Sequence, residues 1–229
     1  MVVLDDADEL AAAAAGQVVG WLREAVTVRG QASLALAGGS TPARLYKVLA
    51  GRDEPGLWPY VSLYFGDERA VGPDHEDSNY AMVNSTLLAG LAEAPRAVHR
   101  MEGERGQEAA AKAYAALLPQ RLDVALLGMG EDGHTASLFP GRPEAERTDV
   151  KVLPAFGPKP PPERISLSLK ALNEARQVAF LVTGTGKAKA LAQVIEERRA
   201  GTPQLPSARV SPHTEVFFFV DRAAGSDLG

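Results

Sequence analysis

The 229-residue sequence predicts an α/β fold, a largely parallel sheet with helices on both faces. Apolar runs of strand length alternate with stretches of helical spacing along the whole chain, and the strand-like runs close in polar, glycine-containing turns. Neither an internal repeat nor a shift of composition marks a boundary, so residues 1–229 are expected to form a single α/β domain. A chain of this length buries roughly 70% of its unfolded surface and needs no covalent staples.

Residues 5–23 carry acids in the first turn and apolar side chains at Leu10, Ala14, Val18, Trp21 and Leu22, one face of a helix with a favourable macrodipole. The apolar run 33–37 ends in Gly38-Gly39. Ser40-Thr41-Pro42 then supplies an N-cap and a proline for the first turn of a second helix. The same unit recurs at 61–65, a strand ending in GDER at 66–69, followed by a helix over 78–91 with Asp77-Ser78-Asn79 at its cap. An alanine-rich helix over 104–118 feeds a strand at 124–127. Strands follow at 164–169 and 178–182, a helix over 187–199 begins after the TGTG turn at 183–186, and 216–220 is a last strand. The proline-rich stretch 156–163, FGPKPPPE, reads as an exposed connection or a hinge or lid, and 223–229 as a frayed tail.

Lys and Arg number 24 against 29 Asp and Glu, a net charge of −5. This argues against nucleic-acid binding, which needs a clustered basic face, yet a few focused cations still suffice for a small anion. The absence of cysteine excludes disulfides, thiolate catalysis and thiolate metal sites, and fits a reducing compartment. The N-terminus, MVVLDDADEL, has acids where a signal peptide has bases, and no apolar run approaches the roughly 20 residues of a membrane helix. A cytoplasmic protein without membrane or nucleic-acid partners is expected, either a monomer or a small homo-oligomer.

In an open parallel sheet, ligands bind beyond the carboxyl ends of the strands. Four polar loops fall there: 38–42, 66–69, 128–135 and 183–187. Gly39, Ser40 and Thr41 combine close backbone approach, hydroxyls and a helix N-terminus, which suits either a phosphate cradle or an ordinary capped turn. Lys187 reads either as a cation for the same phosphate or as a solvated helix-start lysine. GMGEDG at 128–133 matches the dinucleotide pattern G-x-G-x-x-G, but Glu131 and Asp132 would face a pyrophosphate and Phe139-Pro140-Gly141 cuts the following helix short. The loop offers instead His134 beside Asp132, a general base with a carboxylate to orient it. Paired-histidine spacing for a metal is missing. Asp67 and Arg69 are either an ion-paired surface turn or candidates for substrate hydroxyls and anions.

These loops, in this order, resemble the 6-phosphogluconolactonases within the wider group that includes glucosamine-6-phosphate deaminase. The resemblance runs over about 36–210 and rests on AGGSTP at 37–42, GDER at 66–69, DSNY at 77–80, LGMGEDGHTASLFP at 127–140, RISLSL at 164–169, TGTGKAKAL at 183–191 and LPSARV at 205–210. The deaminases usually carry a glutamate shortly after the histidine, and here the chain reads Ala136-Ser137-Leu138-Phe139-Pro140, which fits the lactonases. The resemblance implies a Rossmann-like sheet, hydrolysis of 6-phospho-D-glucono-1,5-lactone, and no metal or organic cofactor. It further implies that Gly39, Ser40, Thr41, Arg164, Lys187 and Arg209 hold the phosphate while Asp67 and Arg69 face the lactone.

Overall fold

The computed structural model describes residues 1–52 and 54–229. Seven parallel strands form the main sheet: β1 (Val2–Leu4), β2 (Ala32–Leu36), β3 (Val61–Phe65), β5 (Ala97–Val98), β6 (Val124–Gly128), β9 (Gln177–Val182) and β10 (Val216–Asp221). A second, antiparallel sheet contains β4 (Asp67–Arg69), β7 (Val152–Phe156) and β8 (Glu163–Leu167), in the order β4-β8-β7. The helices are α1 (Ala7–Arg29), α2 (Ser40–Ala50), α3 (Asn79–Thr86), α4 (Gln107–Ala115), α5 (Leu169–Asn173), α6 (Ala188–Ala200) and α7 (Pro206–Arg209).

The main sheet runs β1-β10-β9-β6-β2-β3-β5. From β2 the chain first moves outward to β3 and β5, then returns to the other side of β2 as β6. That reversal opens a crevice between the carboxyl ends of β2 and β6. Helix α1 packs on α2 and α2 on α3, whereas α4 packs against β7 and β8 of the second sheet. All five β2 residues, and β6 from Val124 to Leu127, are buried, as expected for central strands covered on both faces. One continuous apolar cluster reaches from α1 through both sheets to Ala224.

The structure departs from expectation where local signals compete with packing. Helix α1 runs six residues beyond Arg23, because Ala25 is buried and the chain reaches a left-handed stop only at Gly30 (φ 73°). Asp6 caps it, accepting from the N–H groups of Asp8 and Glu9. Strands β1, β5 and β7 are too short or too interrupted to carry a period. The tail expected to fray is tied down at its start: Ala224 is fully buried and its N–H donates to Asp221 at 2.7 Å.

Candidate active site

The carboxyl ends of β2, β3 and β6 surround a cavity of about 510 Å³ lined by Gly39, Asp67, Arg69, Asp132, His134, Arg164 and Lys187 among others. All four predicted loops therefore converge. Each is held by identifiable chemistry.

The His134 loop leaves β6 at Gly128 and folds back on itself. Gly130 N–H donates to the His134 carbonyl at 2.8 Å, Gly133 N–H to Gly130 at 3.1 Å, and the Thr135 hydroxyl to Gly128 at 2.9 Å. The turn is closed by Ala136 in the left-handed region (φ 47°), an unusual conformation for a residue with a side chain. Asp132 sits 2.5 Å from His134 Nδ1 and also accepts the His134 N–H at 3.1 Å. Partial burial pushes the Asp132 carboxyl up, but the N–H, charge and ring of His134 together bring it below its ordinary value. With Nδ1 engaged, Nε2 is the ring nitrogen free for substrate or water. Phe139 packs against the ring at 4.4 Å between centroids.

Asp67, Glu68 and Arg69 form strand β4 rather than a surface turn, and the alternation of a strand gives adjacent side chains different tasks. Asp67 is buried and accepts from the Ser137 hydroxyl at 2.7 Å and from Asn79 Nδ2 at 3.3 Å. Glu68 is buried too, and accepts from the N–H groups of Arg69, Asn79 and Tyr80 at 2.7–2.8 Å and from the Ser78 hydroxyl at 3.1 Å. Burial nonetheless keeps its carboxyl above the ordinary value. Arg69 pairs in register with Arg164 on β8. Its Nη1 donates to the Asp77 carbonyl, and Arg164 Nη2 donates to the Lys159 carbonyl at 3.3 Å. Neither arginine's buried Nε has a partner among the described residues. Burial and the neighbouring Arg69 charge lower the Arg164 pKa. Two guanidiniums side by side with open donors suit an anion.

In the same cavity, the N-cap of α2 is Gly39 (φ 101°) and not Ser40, and no side chain caps the helix. The first-turn N–H groups are thus left for a ligand. Ser40 is exposed, whereas Thr41 hydrogen-bonds Thr183 at 2.6 Å and ties this turn to the Lys187 loop. Asp221, which sequence reasoning passed over, accepts the Gly184 N–H with both oxygens at 3.0 Å and fixes that loop from beneath.

Arg209 is the exception to the convergence. It lies outside the cavity and pairs with Glu146 at 2.5 Å. It lines a separate hollow together with Thr148, Asn173 and His213.

A model described as glucosamine-6-phosphate isomerases/6-phosphogluconolactonase matches residues 5–219. The chain belongs to this family. Among relatives of the glucosamine-6-phosphate isomerase/6-phosphogluconolactonase family, the 6-phosphogluconolactonase of Mycobacterium tuberculosis is 36% identical, over 99% of this chain and 97% of its own length. The human 6-phosphogluconolactonase is 38% identical over 86% of this chain and 80% of its own. The structure of 6-phosphogluconolactonase from Trypanosoma brucei superposes with a TM-score of 0.86 at 28% identity, covering 100% of this chain and 98% of that one. In this member of the family, Ser137 and Asn79 are site-building residues that the sequence presented only as part of a motif and of a helix cap. Gly38 shows how closely they fit: a Cβ there would lie 2.1 Å from Asn79 Oδ1. Among the described residues, no group of three or more His, Asp or Glu is placed to hold a metal, and no helix is long and apolar enough to cross a membrane.

Proposed function

We propose that the protein hydrolyses 6-phospho-D-glucono-1,5-lactone to 6-phospho-D-gluconate, in the oxidative pentose phosphate pathway of the cytoplasm. The observation that carries this reading is the His134–Asp132 pair at 2.5 Å, opening on a cavity that also holds Arg69, Arg164 and Lys187. The relatives' names supply the substrate, and the cations supply what its phosphate requires.

In this mechanism Asp132 holds Nδ1, and His134 Nε2 takes a proton from a water that attacks the lactone carbonyl. Arg69 or nearby N–H groups stabilise the oxyanion. His134 then returns the proton to the departing ring oxygen, opening the ring to the acid. Water suffices as nucleophile because the lactone is an activated ester. Gly39, Ser40, Thr41, Arg164 and Lys187 hold the phosphate, and Asp67, fixed by Ser137 and Asn79, faces the sugar hydroxyls. Arg209, engaged with Glu146, has no place in this arrangement.

The test is acid release from freshly generated lactone, measured against its spontaneous hydrolysis. His134→Ala is expected to lose at least about a hundredfold in kcat, in the range typical for a general base, while binding 6-phosphogluconate normally. Full turnover by that variant would refute the role of His134.

A further inference from the structure

We infer that Ser207 is a positioning residue for this reaction, gripping the backbone of His134 from the side of the catalytic loop remote from substrate. The inference rests on the reading of His134 as the base. Ser207 lies on α7 and is fully buried. Its N–H donates to the Gly133 carbonyl at 3.1 Å, and its hydroxyl donates to the His134 carbonyl at 3.2 Å. The same His134 carbonyl accepts the Gly130 N–H at 2.8 Å. The peptide that carries the imidazole is thus fixed twice, once by its own loop and once by α7. Leu205 closes the space beside Gly133, where a Cβ would come within 2.7 Å of its Cδ1.

The grip is itself anchored. Glu197 on α6 accepts the N–H groups of Gln204 and Leu205, each at 2.8 Å. Its neighbour Arg198 donates to the carbonyls of Ala208 at 3.0 Å and Val210 at 2.5 Å, with its guanidinium over the Phe218 ring. Two consecutive residues of α6 therefore clasp both ends of the segment that presents Ser207. Helix α6 starts immediately after Lys187. Lys187 and His134 both line the cavity, and the segment that grips His134 is clasped by the helix that follows Lys187. A base displaced by a fraction of an ångström loses much of its effect, so such anchoring acts on rate. It also accounts for the 205–210 motif without Arg209.

Removing the Ser207 hydroxyl leaves the His134 carbonyl bonded to Gly130 and both main-chain bonds in place, so the variant is expected to fold. With the full chain and the acid-release assay, Ser207→Ala should lower kcat about tenfold, leave KM within about twofold, and displace the acid limb of the pH profile. Its melting transition should stay well above the assay temperature. Arg198→Met, which frees the far end of the clasp away from substrate, should show the same division between kcat and KM at smaller amplitude. An unchanged kcat and pH profile in Ser207→Ala, or a loss that follows only the folded fraction, would overturn the inference. His134→Ala run in parallel separates the two ideas. If it is inactive while Ser207→Ala is normal, the grip alone fails; if it turns over fully, the base assignment fails and the grip with it.

Discussion

Replacing Gly130 by alanine tests whether the His134–Asp132 geometry sets the rate. Gly130 lies outside the left-handed region, so alanine adds no backbone strain there. Its Cβ, however, would stand 2.0 Å from His134 Nδ1 and 2.4 Å from Asp132 Oδ1, where ordinary contact begins near 3.4 Å. The ring must retreat by about 1.4 Å, and a misplacement of about 1 Å costs on the order of a hundredfold in rate. That is roughly 2.7 kcal/mol of transition-state stabilisation. The fold should tolerate the change, because the side chains of His134 and Asp132 are 31% and 49% exposed and can swing towards solvent. Steady-state acid release should therefore show kcat reduced about a hundredfold, with KM little altered and the thermal transition nearly in place. A variant with wild-type kcat would refute the reasoning, since the pair could then be separated without consequence.

Lys187→Ala should raise KM about tenfold or more while kcat changes little, the signature of lost uniform binding in initial-rate measurements. Glu68→Ala strands the N–H groups of Asn79 and Tyr80, which should cost about 3 kcal/mol and lower the melting temperature by roughly 6–12 °C; a calorimetric shift under a degree would count against Glu68 as the keystone of this corner. Arg209→Ala should leave KM unchanged and destabilise by less than about 1 kcal/mol, the usual limit for a half-exposed ion pair, as read by chemical denaturation. A large rise in KM would return Arg209 to the phosphate.

The central architecture was legible because it follows from short-range rules. The strands at 33–37, 61–65, 124–127, 178–182 and 216–220 are largely apolar runs, the first four followed by glycine-containing turns, and each appears within a residue of its expected place. The convergence of Gly39, Asp67, His134 and Lys187 followed from the rule that strand ends gather ligands. What the sequence concealed depends on partners far along the chain. The antiparallel sheet of β4, β7 and β8 exists only because Arg69 meets Arg164 and Asp67 meets Ser166 across about a hundred residues. No periodicity in a three-residue strand announces that. Ser40 reads as an N-cap from its residue type, but Gly39 takes the cap and releases the first-turn N–H groups. Arg209 shares a motif with Ser207, and composition cannot say which of two neighbouring side chains turns towards the site.

The register that sets Arg69 beside Arg164 also makes the ligand-free protein a poor reference for its own stability. Two cations held together by strand pairing repel, and part of what folding gains elsewhere is spent keeping them adjacent. Any small dianion that settles between them relieves that repulsion only in the native state, and at a hundred times its dissociation constant it would add about 2.7 kcal/mol. If phosphate or citrate settles there, melting temperatures taken in those buffers should exceed those taken in chloride.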